Sequence, residues 1–338
     1  MKKFTKILPI AFAAFALASC SSDDLFSNGP KEATQAGENQ MIAEVEDVPE
    51  AITRYGLDNG STMFVWSTGD TYTVYDQTLT KYSEFDLDPA YSGSKAGLFA
   101  VKEGQQDIVD AEGNSTARYG VFPYAATNEI SLKNHKATLY MTLPGTLAYS
   151  AITGGEKSDL PEDGGSVAAL PLWGSVKNVS GSRKITFKMM TAMLKVDLSE
   201  IPAALSQNVT PFAPAYIKIA SNAHKLSGAF MADITDQTAA EYSGDVADVE
   251  LVANGAPAVA TEREIKVTFS TGGEKINRVF YVPIPVGTYE AGDLTVSLGD
   301  YTGTEVDLTP DTWTADAVTF TRGKAKKITY NLLVELNL

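Results

Sequence analysis

Apolar residues fall on every second position in short runs along most of the chain. Leu139, Met141 and Leu143 alternate with Tyr140 and Thr142, and Leu194, Val196 and Leu198 alternate with Lys195 and Asp197. The same period recurs at Tyr72 and Val74, Ile217 and Ile219, Val267 and Phe269, Leu294 to Leu298, and Val318 and Phe320. Gly, Pro, Asn or Asp bounds each run, and no helical stripe persists for more than about two turns. A strand with one apolar and one wet face suits an antiparallel sheet covered on one side. The pattern therefore predicts an all-β chain of antiparallel β-sandwiches.

The segment from Ala151 to Ser182 interrupts the pattern with Thr153-Gly154-Gly155 and Pro161-Glu162-Asp163-Gly164-Gly165, and strand-like sequence resumes at Lys184. This places a boundary near residue 182, with an N-terminal sandwich over 55–182 and a C-terminal one over 183–338. A length of 338 residues accommodates two such domains, each with its own core.

Alternation lasts longest at the end. Ile328, Tyr330, Leu332, Val334, Leu336 and Leu338 share one face, with Lys327, Thr329, Asn331, Glu335 and Asn337 between them and Leu333 as the exception. Extended, residues 327–338 reach roughly 40 Å, about twice a common strand. Chain ends are usually frayed and polar, and an open apolar strand invites unwanted pairing. Two covers are available. The strand completes its own sandwich, or it serves as a donor strand, at about 325–338, that fills a groove in a neighbouring subunit.

A groove requires a missing strand. Met41 to Asp47 reads as a short first strand, followed by Pro49 and then Ile52-Thr53-Arg54-Tyr55. Arg54 is the first arginine of six and separates this strand from the persistent alternation. It is either an ordinary exposed loop residue or the target of an arginine-specific protease, whose cut between Arg54 and Tyr55 would detach everything before it.

Lys2, Lys3 and Lys6 precede an apolar run from Ile7 to Leu17, which leads into Leu17-Ala18-Ser19-Cys20. The run is about half the ~20 residues that span a bilayer, so 1–19 reads as a cleaved export signal. Leu-Ala-Ser-Cys resembles the bacterial lipobox, in which the cysteine is acylated and becomes the new N-terminus. Residues 20–54 would then be an acylated propeptide, a polar tether to about Gln40 followed by the first strand.

Composition narrows the chemistry. Cys20 is the single cysteine and there are two histidines, which excludes disulfides within the chain and zinc sites built from several such ligands. A net charge of −15 opposes nucleic-acid binding. No Gly-x-Ser-x-Gly elbow or phosphate-cradling loop is present. His135 and His224 each precede a lysine in turn-like sequence, and Asp86-Leu87-Asp88 supplies too few oxygens for calcium on its own. The expectation is a protein without catalytic activity, metal or cofactor. Trp66 sits in strand-like sequence and reads as core, whereas Trp173 and Trp313 could be loop residues that stack on sugars.

Several segments, in order, resemble the fimbrillins, pilus subunits of Gram-negative oral and gut anaerobes. They are the lipobox at Cys20, Thr53-Arg54, Trp66-Ser67-Thr68-Gly69-Asp70, Phe187 to Val196, Leu226-Ser227-Gly228 and Val282-Pro283-Ile284-Pro285-Val286-Gly287-Thr288-Tyr289. Met189 departs from this pattern, since similar proteins often carry His there. Ser21-Ser22-Asp23-Asp24 is similar to the acidic signal that sends Bacteroidales lipoproteins to the outer face of the outer membrane. The resemblance implies two tandem transthyretin-like sandwiches, lipid anchoring at the outer membrane, proteolytic loss of the first strand and polymerisation by a C-terminal donor strand. The implied partners are other fimbrial subunits, an arginine-specific protease and a host or bacterial adhesion receptor. Alternation to Leu338 favours a stalk subunit over a tip subunit, and Arg54 disfavours an anchor. The competing reading is a glycan-binding surface lipoprotein that does not polymerise.

Overall fold

The computed structural model describes residues 31–46, 57–58, 61–62, 66–109, 115–123, 125–134, 136–151, 165–167, 170–179, 181–197, 214–235, 248–269 and 279–329. The chain is all-β, with one short α-helix among the described residues, Asp311–Ala315. Seven strands close into a barrel: β1 (Gln40–Val45), β2 (Thr71–Asp76), β3 (Tyr82–Leu87), β4 (Gly97–Val101), β5 (Ala117–Phe122), β6 (Leu172–Val179) and β7 (Ser182–Met189). Their cyclic order is β1-β7-β6-β5-β2-β3-β4. Every neighbouring pair is antiparallel except β1 and β7, which run parallel.

An aromatic cluster fills this barrel. Trp66 meets Phe99, Phe122 and Phe187 edge-on at ring-centre distances of 4.9, 5.4 and 5.9 Å, and Tyr72 stacks on Phe85. Edge-to-face contacts of this kind add about 0.5–1.5 kcal/mol to the burial of each ring pair. Rings this large require thin walls. A Cβ on Gly97 would lie 2.7 Å from Trp66 Cδ1, and one on Gly174 2.7 Å from Phe187 Cδ1.

Beyond the barrel, a six-stranded sheet runs in the order Gly165–Val167, Thr146–Ala151, Glu264–Thr268, Pro214–Ser221, Leu294–Asp300 and Glu305–Asp307. It shares one core with a three-stranded sheet of Val279–Ile284, Ala192–Asp197 and Ala325–Thr329, where Ile217, Val267 and Val296 pack with Leu194, Val282 and Ile328. This part is a sandwich. Pro283 lies in Val279–Ile284, an edge strand of the smaller sheet, where a missing N–H is tolerated. A four-stranded sheet joins Lys136–Leu143 to Gly228–Asp233.

The layout departs from two tandem sandwiches. The first unit is a closed barrel because β1 pairs on both sides. The expected boundary at 182 falls at the turn of the β6–β7 hairpin, whose eight paired positions keep Ser182–Met189 in the barrel. Strands before that point also serve sheets after it: Thr146–Ala151 pairs with Glu264–Thr268 and Lys136–Leu143 with Gly228–Asp233. The expected tether is likewise docked from residue 31 onward, with the Ala33 N–H bonded to the Ala96 carbonyl.

Candidate functional site: the slot closed by β1

β1 is the first strand of the chain's described part and the one that closes the barrel. Ile42 aligns with Leu98 on β4 and with Lys184 on β7, and Ala43 with Gly97 and Ile185. Three successive residues are buried, Met41, Ile42 and Ala43, so both faces of the strand are covered. Lys184 Nζ lies 2.7 Å from Glu44 Oε2 on the outer face, and Lys188 bridges Glu46 at 3.4 Å and Asp248 at 3.1 Å.

The Trp-Ser-Thr-Gly-Asp segment explains itself here. Gly69 has φ of 90°, which glycine adopts without strain, and the Ser67 N–H donates to the Asp70 carboxylate at 2.8 Å. That tight turn aims the buried Trp66 indole at β1, where Nε1–H donates to the Ala43 carbonyl at 2.7 Å.

The segment before β1 forms a strap. The Glu32 carboxylate accepts from the N–H groups of Lys95 and Ala96 at 3.0 and 2.7 Å, the Ala33 N–H donates to the Ala96 carbonyl at 2.8 Å, and the Ala36 N–H donates to Ser182 Oγ at 3.1 Å. Lys31 Nζ sits 4.6 Å from the centre of the Tyr91 ring. After β1, the Glu46 N–H donates to the Phe187 carbonyl at 2.8 Å. The composition of 31–39 reads as a solvated linker, whereas Glu32, Ala33 and Ala36 bond to partners at Lys95, Ala96 and Ser182, far away in the chain.

Of the expected site residues, Cys20, Arg54, Tyr55, Tyr330, Leu332, Val334, Leu336 and Leu338 lie outside the described residues. Ile328 is described and buried. It stands opposite Val196 in the parallel pair of Ala325–Thr329 with Ala192–Asp197. Residues 325–329 therefore complete the chain's own sandwich.

The other candidates resolve into scaffolding. Asp86 accepts from Thr71 Oγ1 at 2.6 Å, and Asp88 caps the 3-10 turn Pro89–Tyr91. Trp66, Trp173 and Trp313 are all buried, which removes them as sugar platforms. His224, Asp293 and Ser221 have the residue types of a hydrolytic triad without its connectivity. Ser221 Oγ donates to Asp293 at 2.9 Å and His224 Nδ1 lies 2.6 Å from the same carboxylate, so the hydroxyl has no imidazole base. Burial pushes the Asp293 carboxyl up, but hydrogen bonds from His224, Ser221 and the Ala223 N–H outweigh it and hold the group below its ordinary value. The cluster braces a turn. His135 lies outside the described residues.

No protein-family model matches the chain, and no curated protein does. Among solved structures, the chain is similar to a Bacteroides ovatus protein provisionally assigned to cell adhesion, at 11% identity and a TM-score of 0.44 over 89% of this chain and 94% of that one. A Bacteroides thetaiotaomicron protein of the same description matches at 13% identity and a TM-score of 0.37, covering 86% and 91% of the two chains. The fimbrial anchor protein Mfa2 of Porphyromonas gingivalis matches at 13% identity and a TM-score of 0.25, covering 80% and 82%. Mfa2 is a fimbrial protein, the kind the sequence resemblance named.

Proposed function

We propose that this protein is a fimbrial subunit of the fimbrillin type, in which β1 is a temporary occupant of its slot. The chain is exported as a lipoprotein, acylated at Cys20 and held at the outer membrane. An arginine-specific protease cuts between Arg54 and Tyr55, the strap and β1 leave with the lipid, and the C-terminal segment of another subunit fills the vacated slot. The assembled fibre carries the subunit to the cell surface, where it supports adhesion to a host or bacterial receptor.

One observation carries this reading. β1 is paired on both sides within the barrel yet joined to the rest of the chain through the segment that contains Arg54, so a single cut there separates a fully integrated strand from its barrel. Its departure leaves β4 and β7 with open edges beside buried aromatic side chains, a surface that native proteins keep covered. The nine residues from Tyr330 to Leu338 are long enough to replace the six of β1. Their alternation supports a stalk subunit, and a cleavable Arg54 supports a processed subunit over an anchor.

The test is to treat purified protein with an arginine-specific protease and follow assembly by size-exclusion chromatography. The expected result is cleavage after Arg54 followed by oligomers, both absent in Arg54→Ala. Cleavage at Arg54 that leaves a stable monomer, or assembly of the uncut Arg54→Ala protein at the same rate, would overturn the proposal.

A further inference from the structure

The end of the chain matches β1 position by position. β1 reads Gln40-Met41-Ile42-Ala43-Glu44-Val45, and a segment near the C-terminus reads Asn331-Leu332-Leu333-Val334-Glu335-Leu336. We infer that residues 331–336 of a second copy enter the slot in the direction and register of β1, with Leu333 in the place of Ile42 and Glu335 in the place of Glu44. The inference rests on the strand replacement proposed above and adds the partner and its register.

The slot asks for more than alternation. On the outer face of β1, Ile42 is 5% exposed and stands opposite Leu98, while Glu44 two residues on is paired with Lys184. A replacement must therefore be apolar at three successive positions and acidic at the next. Leu333, the residue that breaks the terminal alternation, supplies the middle apolar position, and Glu335 supplies the carboxylate. The one marked increase in size, Val334 for Ala43, falls opposite Gly97, where Trp66, Leu87 and Phe99 already fill the space a side chain would take, so those side chains must shift slightly to admit it.

Other placements fail on the same residues. Sliding the segment so that Tyr330 replaces Met41 puts Asn331 in the buried place of Ile42 and Leu333 against Lys184. Sliding it the other way, with Val334 at Met41, buries Glu335 where Ile42 was, and an unpaired buried carboxylate costs several kcal/mol. Reversing the strand keeps Leu333 at Ile42 but sets Asn331 against Lys184, leaving the ammonium without a carboxylate. In the proposed register Asn337 falls at Glu46, whose loss is minor because Lys188 keeps Asp248.

Disulfide trapping reads the register directly. Gln40 is the Cα partner of Ala100 on β4, and antiparallel partners lie within bridging distance, about 4.5–5.5 Å between Cα atoms. The full chain carrying A100C is combined with T329C, N331C, L333C or E335C, processed at Arg54 and oxidised. The expected result is an intermolecular disulfide ladder with N331C, at least tenfold stronger than with the other three. A ladder strongest with T329C or L333C would mean a shifted register, and one strongest with E335C a reversed strand; each overturns the inference and leaves strand replacement standing. Polymers that cross-link at none of the four place the donor elsewhere and overturn it too. Failure to polymerise at all would overturn the strand replacement on which it rests.

Discussion

Trp66 ties the first strand to the barrel through one bond. Its indole N–H meets the Ala43 carbonyl in a fully buried site, so Trp66→Phe keeps most of the ring packing and removes that bond. Chemical denaturation should show a loss of about 1–2 kcal/mol. The residue's burial was legible from its place in strand-like sequence, but its partner lies 23 positions earlier, in a stretch whose composition reads as linker. The same blindness applies to His224. Its turn-like, partly exposed setting was readable, whereas Asp293, 69 positions away, was not. Because folding lowers the Asp293 pKa, its contribution to stability is present above the ordinary value of 3.8 and is lost as pH falls through the folded value. Asp293→Asn should cost about 1–3 kcal/mol at neutral pH. In urea titrations its deficit against the parent should shrink as pH is lowered below about 4. A deficit independent of pH would assign the loss to packing.

Alternation reports which side of a strand is buried and is silent about which strand lies beside it. Lys136–Leu143 shows the expected faces, with Ala137, Leu139, Met141 and Leu143 buried, yet its partner Gly228–Asp233 lies beyond the boundary that turn density suggested. β1 is harder still. Strands covered on both faces lose the period of two, so Met41-Ile42-Ala43 gave only a modest signal for the element that closes the barrel. Its parallel pairing with β7 joins residues 142 positions apart, as between Glu44 and Thr186, and nothing local encodes it. Burying the Met41 and Ile42 side chains contributes about 1.5–3 kcal/mol each. Deleting residues 31–46 should therefore lower stability by at least about 3 kcal/mol and expose apolar surface that binds a hydrophobic dye. A synthetic peptide of residues 31–46 added in trans should reverse the dye signal. Dye binding that the peptide leaves unchanged would show that the slot does not persist once emptied.

At the scale of the whole molecule, barrel and sandwich interleave, since Thr146–Ala151 and Lys136–Leu143 pair with strands that follow the barrel, and the proposed function makes the first strand the separable part. After Arg54 the chain holds 22 basic and 34 acidic residues, 22 − 34 = −12, so processed copies repel one another. Screening shortens that repulsion, so assembly of the processed protein should accelerate as salt is raised from about 0.01 to 0.15 M. The sandwich accounts for the chain as far as Thr329, and strand replacement gives the apolar alternation beyond it a use. Electron microscopy of the Arg54-processed protein, full-length beside a chain ending at Thr329, tests strand replacement most directly. Fibres are expected from the full-length chain and monomers from the shortened one. Fibres of equal number and length from both would contradict it.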